Sequence, residues 1–176
     1  VHLKPFTGAL VDIANNGVSA RRRLESIYSL SGQCGDAVTN SLLRLLEDPD
    51  ENIRAGAVRL LPRFPSGYAE QGLRERADDK SPVVRAVVAD VIGEENYIRF
   101  LPILAKLFSD PIGKDPLIEP LTMEMLKSGE RWNNSGDVHT SAGFALLKFE
   151  VVQTRAILET NLTDEGFSLS FMKKLA

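Results

Sequence analysis

The sequence is poor in the residues from which most active sites and metal centres are built. It has one cysteine, Cys34, and two histidines, His2 and His139, in 176 residues. A single thiol closes no internal disulfide, so stability must come from packing, a usage that fits a reducing compartment. Cytoplasmic is the expected location. Zinc sites take four clustered ligands, which one thiol and two distant imidazoles do not supply. Neither histidine has a carboxylate or thiol at ligand or triad spacing, and His139 reads as an isolated surface or helix-start residue. There is no Gly-rich phosphate loop of Walker or Rossmann type. No catalytic residue, cofactor or metal is therefore expected, and the chain reads as non-enzymatic. A site built from carboxylates alone is the one catalytic type left open.

Other absences narrow the partners. There is no basic excess: the formal net charge is −3 and the pI about 5.5. Residues 1–64 carry eight Lys/Arg against seven Asp/Glu, residues 65–127 eight against eleven, and the remainder five against six. Nucleic-acid binders usually carry a basic footprint, so any such surface here must be local. No apolar run approaches the roughly eighteen residues that span a bilayer, and no signal-peptide pattern opens the chain. No membrane association is expected, and a monomer is the default. Valine rather than methionine stands first, as in a fragment or a processed chain. Two Asn-x-Ser/Thr sequons, at Asn133 and Asn161, are short enough to arise by chance. No stretch alternates apolar and polar residues for long enough to suggest a sheet.

What remains is ordinary globular composition, 43% hydrophobic and 26% charged, organised as a repeat. The segment from Asp48, DPDENIRAGAVRLLPRF, aligns without gaps on the segment from Asp79, DKSPVVRAVVADVIGEE. Asp48 matches Asp79, Ile53 matches Val84, Arg54 matches Arg85, Ala55 matches Ala86 and Leu61 matches Ile92, each 31 residues on. One period back from Arg54 lies Arg23, followed by another amphipathic run; one period forward from Asp79 lies Asp110, followed by proline as Asp48 is. Each repeat reads as two helices. Asp36–Leu46, Ala69–Ala77 and Tyr97–Phe108 have helical apolar spacing and form the first helices. A turn with Asp-Pro or Ser-Pro follows, and Ser81-Pro82 places a cap and an N1 proline at the start of a second helix. Small residues (Ala55, Gly56, Ala57, Ala86, Ala89) allow neighbouring helices to approach. Gly32, Pro62 and Gly93 recur near the ends of the second helices.

The D-x(5)-R pattern, with Val or Ile before the arginine and small residues after it, resembles HEAT repeats, in particular their short bacterial form, over about residues 17–116. The resemblance implies an all-α fold, a right-handed α-α superhelix of about five helical hairpins. It also implies an Asp–Arg ladder along the stack, here with Asp48, Arg54, Asp79 and Arg85. Gly17, where the first aspartate should be, and Pro116, where the fourth arginine should be, interrupt that ladder. Pro116 also moves the start of its helix to near Leu117. The domain expectation is one HEAT-like array over 1–176, regular over about 1–127. A polar loop at 128–136 is followed by divergent helices over 137–176, the first from Asp137-Val138 to Phe149.

Second helices generally line the concave face of such arrays, where partners bind. One register through that face is Tyr28, Arg59 and Asp90; another is Gly32, Arg63 and Glu94. The charge passes from basic to acidic along them, which suits a protein or peptide better than a uniformly anionic backbone, and solubility alone explains the same residues equally well. Arg131 and Trp132, in the polar loop, are either a partner anchor or a loop packed back on the last full repeat. Arg21 and Arg22, in the only cationic triplet, are a weak anion-binding candidate at a helix start; Arg23 is the ladder-type position. Cys34 reads as an incidental thiol. A protein-interaction or scaffolding module is the leading expectation. The resemblance also implies two alternatives: a nucleic-acid-binding protein of the alkylpurine DNA glycosylase type, and a phycobilin lyase or chaperone. The acidic balance and single Trp count against the first, and no local motif supports the second.

Overall fold

The computed structural model describes residues 6–30, 35–110, 138–146, 148–149 and 154, and every regular element among them is helical. In chain order these are α1 (Thr7–Asn16), α2 (Ala20–Leu30), α3 (Asp36–Leu46), α4 (Glu51–Leu60), a 3-10 turn at Leu61–Arg63 and α5 (Ser66–Arg76). Then come α6 (Pro82–Glu94), a 3-10 turn at Ile98–Phe100, α7 (Leu101–Phe108) and α8 (Val138–Leu146). None of these helices is long and apolar enough to cross a membrane. Contacts divide the chain into two compact units, Val1–Val84 and Arg85–Ala176, with the boundary inside α6.

In the first unit the helices pair and stack as a HEAT-type repeat requires. α1 packs on α2 and α3 on α4; α1, α3 and α5 form one layer, and α2 with α4 the other. The reason lies in spacing. Val38, Leu42, Leu45 and Leu46 recur at helical intervals, so α3 buries one stripe and leaves Asp36, Asn40 and Arg44 exposed. Asp50 starts α4 by accepting the Asn52 N–H at 2.8 Å. Ala55 and Ala57 are buried in α4. A Cβ on Gly56 would lie 2.8 Å from both Leu24 methyls, so the missing side chain is what lets α2 sit close to α4.

The second unit is built around α6, whose residues Ala86 to Ala89, Val91 and Ile92 are all buried. Valine is a modest helix former, so burial rather than local preference stabilises this helix. Its exit is a Schellman turn: Asn96 takes φ 53° and the Tyr97 N–H donates to the Ile92 carbonyl at 3.0 Å. The expected helix from Tyr97 to Phe108 is divided, because Pro102 fits only the first turn and α7 starts at Leu101. The expected helix at 69–77 begins three residues earlier, at Ser66 after Pro65. The helix expected from Val138 is present as α8; it packs on α7 and buries Val138, Ala142, Ala145 and Leu146.

Gly93 is where α6 and α8 meet. A Cβ there would lie 2.7 Å from the Ala145 Cβ and 2.8 Å from its Cα, and backbone cannot swing aside as a side chain can. Gly93→Ala is expected to destabilise by about 1–3 kcal/mol through forced separation, outweighing the ~1 kcal/mol that alanine gains in a helix. Gly67→Ala, in α5 with nothing within 4 Å of its Cβ position, is expected to stabilise by up to about 1 kcal/mol. Urea unfolding measures both; equal effects at the two sites would rule out the close approach at Gly93.

Candidate interaction surface

Among the described residues, α2, α4 and α6 each carry an arginine near the start, Arg23, Arg54 and Arg85, and the structure commits all three to holding repeats together. In the first unit, Arg23 Nη2 donates to Asp48 Oδ2 at 2.9 Å, and Arg54 donates through Nε and Nη2 to the two carboxylate oxygens of Asp79, both at 2.9 Å. In the second, Arg85 Nε donates to Asp110 Oδ2 at 2.6 Å. The partner is always 25 residues on, the aspartate of the following repeat. Within its own repeat, Arg54 donates to the Asp48 carbonyl at 2.7 Å. The expected ladder of Asp48, Arg54, Asp79 and Arg85 is thus extended by Arg23 and Asp110.

Gly17 is better placed than the D-x(5)-R pattern suggested. Its carbonyl accepts from Arg23 at 3.2 Å, as the Asp48 carbonyl accepts from Arg54. A Cβ there would fall 2.5 Å from the Ile13 carbonyl oxygen, so an aspartate would not fit without moving the backbone. The ladder aspartates also hold turns: Asp48 accepts the Asp50 N–H and Asp79 the Ser81 N–H, each at 2.9 Å.

The Arg54–Asp79 pair is nearly dry, with side chains 4% and 3% exposed. Burial pushes the Asp79 carboxyl up, but hydrogen bonds from Arg54 and the Ser81 N–H, and the charges of Arg54 and Arg76, outweigh it and hold the group below the usual carboxylate range. Two further clamps, not expected from the sequence, bridge repeats of the first unit. Arg76 donates to the Leu46 carbonyl at 2.9 Å and to Glu47 at 2.7 Å, and the Ser81 hydroxyl, expected as a helix cap, donates to Glu51 at 2.6 Å. Arg76 has no counterpart at the same register in other repeats, so periodicity held no signal for it.

With those arginines internal, the exposed chemistry of the first unit's second layer lies elsewhere. The structure brings together Tyr28 of α2 and Arg63 of the turn after α4. The Arg63 Cζ sits 4.3 Å from the Tyr28 ring centroid, and Nη2 donates to the phenolic oxygen at 3.2 Å. Tyr28 is 56% exposed. Arg59, one helical turn before Arg63, is also exposed. Sequence register had aligned Tyr28 with Arg59 and placed Arg63 in a separate row; the contact is instead diagonal. Asp90, partly buried, and Glu94, exposed, belong to α6 in the second unit.

The anion-binding candidates are placed differently. Arg21 is held by Glu25 at 2.7 Å, both exposed, and Arg23 by Asp48, so of the cationic triplet Arg22 alone is outside these pairs. Arg131, Trp132, Pro116, Gly32, Cys34 and His2 lie outside the described residues. His139 falls in the backbone of α8. Among the described residues no three of His, Cys, Asp and Glu gather as metal ligands.

Residues 39–115 match the family model for HEAT repeats. No curated protein and no solved structure matches the chain.

Proposed function

From the premise that residues 39–115 are HEAT repeats, we propose that this chain is a protein-interaction module that docks a partner on its second-helix layer, centred on Tyr28, Arg59 and Arg63. In arrays of this kind that layer lines the concave side, where partners bind. The supporting observation is the division of labour among the arginines. Arg23, Arg54 and Arg85 are held in the inter-repeat ladder, whereas Arg63 lies at the surface, stacked on an aromatic ring that is itself 56% exposed. Tyr and Arg are the side chains that most often anchor interfaces, because each offers a large contact area with a polar end. Asp90, Glu94, Arg131 and Trp132 are proposed as further partner-binding residues on the sequence pattern alone. The chain is proposed to be a single HEAT-like repeat domain over 1–176, cytoplasmic and without an enzymatic role.

Affinity co-purification from a lysate of the source, with and without nuclease, tests this. A stoichiometric protein partner is expected to survive nuclease and to be lost when Arg59→Glu and Arg63→Glu are combined. The double variant should shift Tm by no more than about 5 °C, since what is lost are exposed contacts such as the Arg63–Tyr28 stack, worth about 0.5–1 kcal/mol. A partner retained at full yield by the double variant would move the interface elsewhere. Partners that vanish with nuclease would favour the nucleic-acid alternative.

A further inference from the structure

We infer that the occupant of the α2–α4 layer is an acidic segment of a partner protein, with Arg63 clamping one carboxylate and Tyr28 acting as the positioning residue that holds Arg63 ready. This rests on the docking reading above and adds the chemistry of what docks.

The Arg63 guanidinium is held in place before any ligand arrives. An exposed arginine normally samples many rotamers and loses that freedom on binding. Here the guanidinium is fixed twice, by stacking at 4.3 Å and by the hydrogen bond from Nη2 to the phenolic oxygen at 3.2 Å. Among the described residues Arg63 makes no other polar contact. Its remaining N–H groups form a planar fork whose geometry matches a carboxylate, so a bidentate pair can form with little further ordering. Stacking also covers one face of the guanidinium with a poorly hydrated ring, which strengthens the pair that the open edge makes.

The charge of the layer points to the same ligand. The exposed charged side chains of α2, α4 and the turn after α4 are Arg21, Arg22, Arg59 and Arg63 against Glu25 and Glu51. Arg21 and Glu25 pair with each other and Glu51 accepts from the Ser81 hydroxyl, which leaves arginines in excess over carboxylates whatever else each contacts. The layer is therefore positive on a chain whose net charge is −3, and it complements an acidic ligand. Extent decides between acidic ligands. A nucleic acid presents a phosphate at every nucleotide and is held by many cations along a stripe, whereas Arg59 and Arg63 are a single pair one helical turn apart. Such a pair matches one or two carboxylates of a peptide.

Fluorescence anisotropy with a fluorescein-labelled oligoglutamate peptide tests the inference, with a Gly-Ser peptide and an oligothymidylate of equal length as comparisons. The wild-type chain is expected to bind oligoglutamate more tightly than either. Arg63→Lys, which keeps the charge and loses the fork, should weaken binding about fivefold, and Tyr28→Leu about as much. Tyr28→Phe keeps the stack and should lose less, and Arg44→Gln, at an exposed arginine of α3 in the other layer, should change affinity less than twofold. In 15N spectra the Arg63 Nε–H signal should shift on adding oligoglutamate, and less so in Tyr28→Leu. Equal affinity of Arg63→Lys and wild type would overturn the clamp. Equal or tighter binding of oligothymidylate would overturn the choice of ligand. If oligoglutamate fails while the lysate partner is still lost from the Arg59→Glu, Arg63→Glu variant, the acidic-ligand inference falls and the docking reading stands. If that variant keeps its partner, the docking reading falls as well.

Discussion

Arg54→Met is expected to destabilise the chain by about 3–5 kcal/mol, more than any other exchange considered above, although the two side chains are of similar length. The loss does not measure the attraction between Arg54 and Asp79. It comes from leaving the Asp79 carboxylate, 3% exposed, without its bidentate partner, while the Ser81 N–H at 2.9 Å and Arg76 at 3.5 Å stay in place. The Asp48 and Pro49 carbonyls, which Arg54 also satisfies at 2.7 and 3.1 Å, lose a donor at the same time. Combining Arg54→Met with Asp79→Leu should recover part of the loss, because an apolar pair replaces a stranded charge. It should not recover all of it, since Asp79 also receives the N–H that closes the turn before α6. Urea unfolding of the three variants measures this. A double variant less stable than Arg54→Met alone would contradict the account.

The same pair sets a pH dependence whose sign follows from the direction of the Asp79 shift. Its folded carboxyl is held below the unfolded value, so the pair's contribution is complete above an unfolded pKa of about 3.9 and is lost as pH falls through the lowered folded value. Wild-type stability from this source should be level near neutrality and decline below about pH 4. In Arg54→Met the balance reverses: burial is the largest influence on Asp79, and without Arg54 it pushes the carboxyl up. Protonation then relieves the variant. The stability gap between variant and wild type should narrow on acidification; a gap that widens would show that Asp79 is not the group responsible.

Periodicity made the helices legible and left their partners illegible, for a geometric reason. A 31-residue repeat says which residues are equivalent, and α3 ends where the apolar stripe and the Asp-Pro turn said it should. Equivalence does not say which copy a side chain reaches. Asp48 and Arg54 share a turn, yet the carboxylate that meets Arg54 comes from Asp79, because a long arginine side chain extends along the stack. Tyr28 and Arg63 are 35 residues apart rather than 31. Side chains on helices lean back toward the N-terminus, so Arg63 reaches the level of Arg59, opposite Tyr28. Gly93 stands near the end of α6, as its spacing suggested, and is also a close crossing. Its partner Ala145 lies beyond the regular repeats, where the period supplies no register.

Leu61→Ala tests the packing that this period builds, and it should cost about 2–5 kcal/mol. Leu61 is fully buried in the turn after α4, and its neighbour across the repeat is Gly72 of α5. A Cβ on Gly72 would lie 2.9 and 3.0 Å from the Leu61 methyls and 3.3 Å from a Leu46 methyl, so Leu61 fills the space that Gly72 leaves. The two positions must therefore couple. Gly72→Ala alone should gain little or destabilise, because the Leu61 side chain has to move. In a Leu61→Ala background the space is open, and Gly72→Ala should stabilise by about 1 kcal/mol through helix preference and partial filling of the cavity. A double-mutant cycle on urea midpoints reads the difference. Additive effects would mean that Leu61 and Gly72 do not share one cavity, and that the turn after α4 packs on α5 in another register. A coupling of the expected sign would localise much of the first unit's cohesion to one leucine seated over one glycine, where adjacent repeats meet.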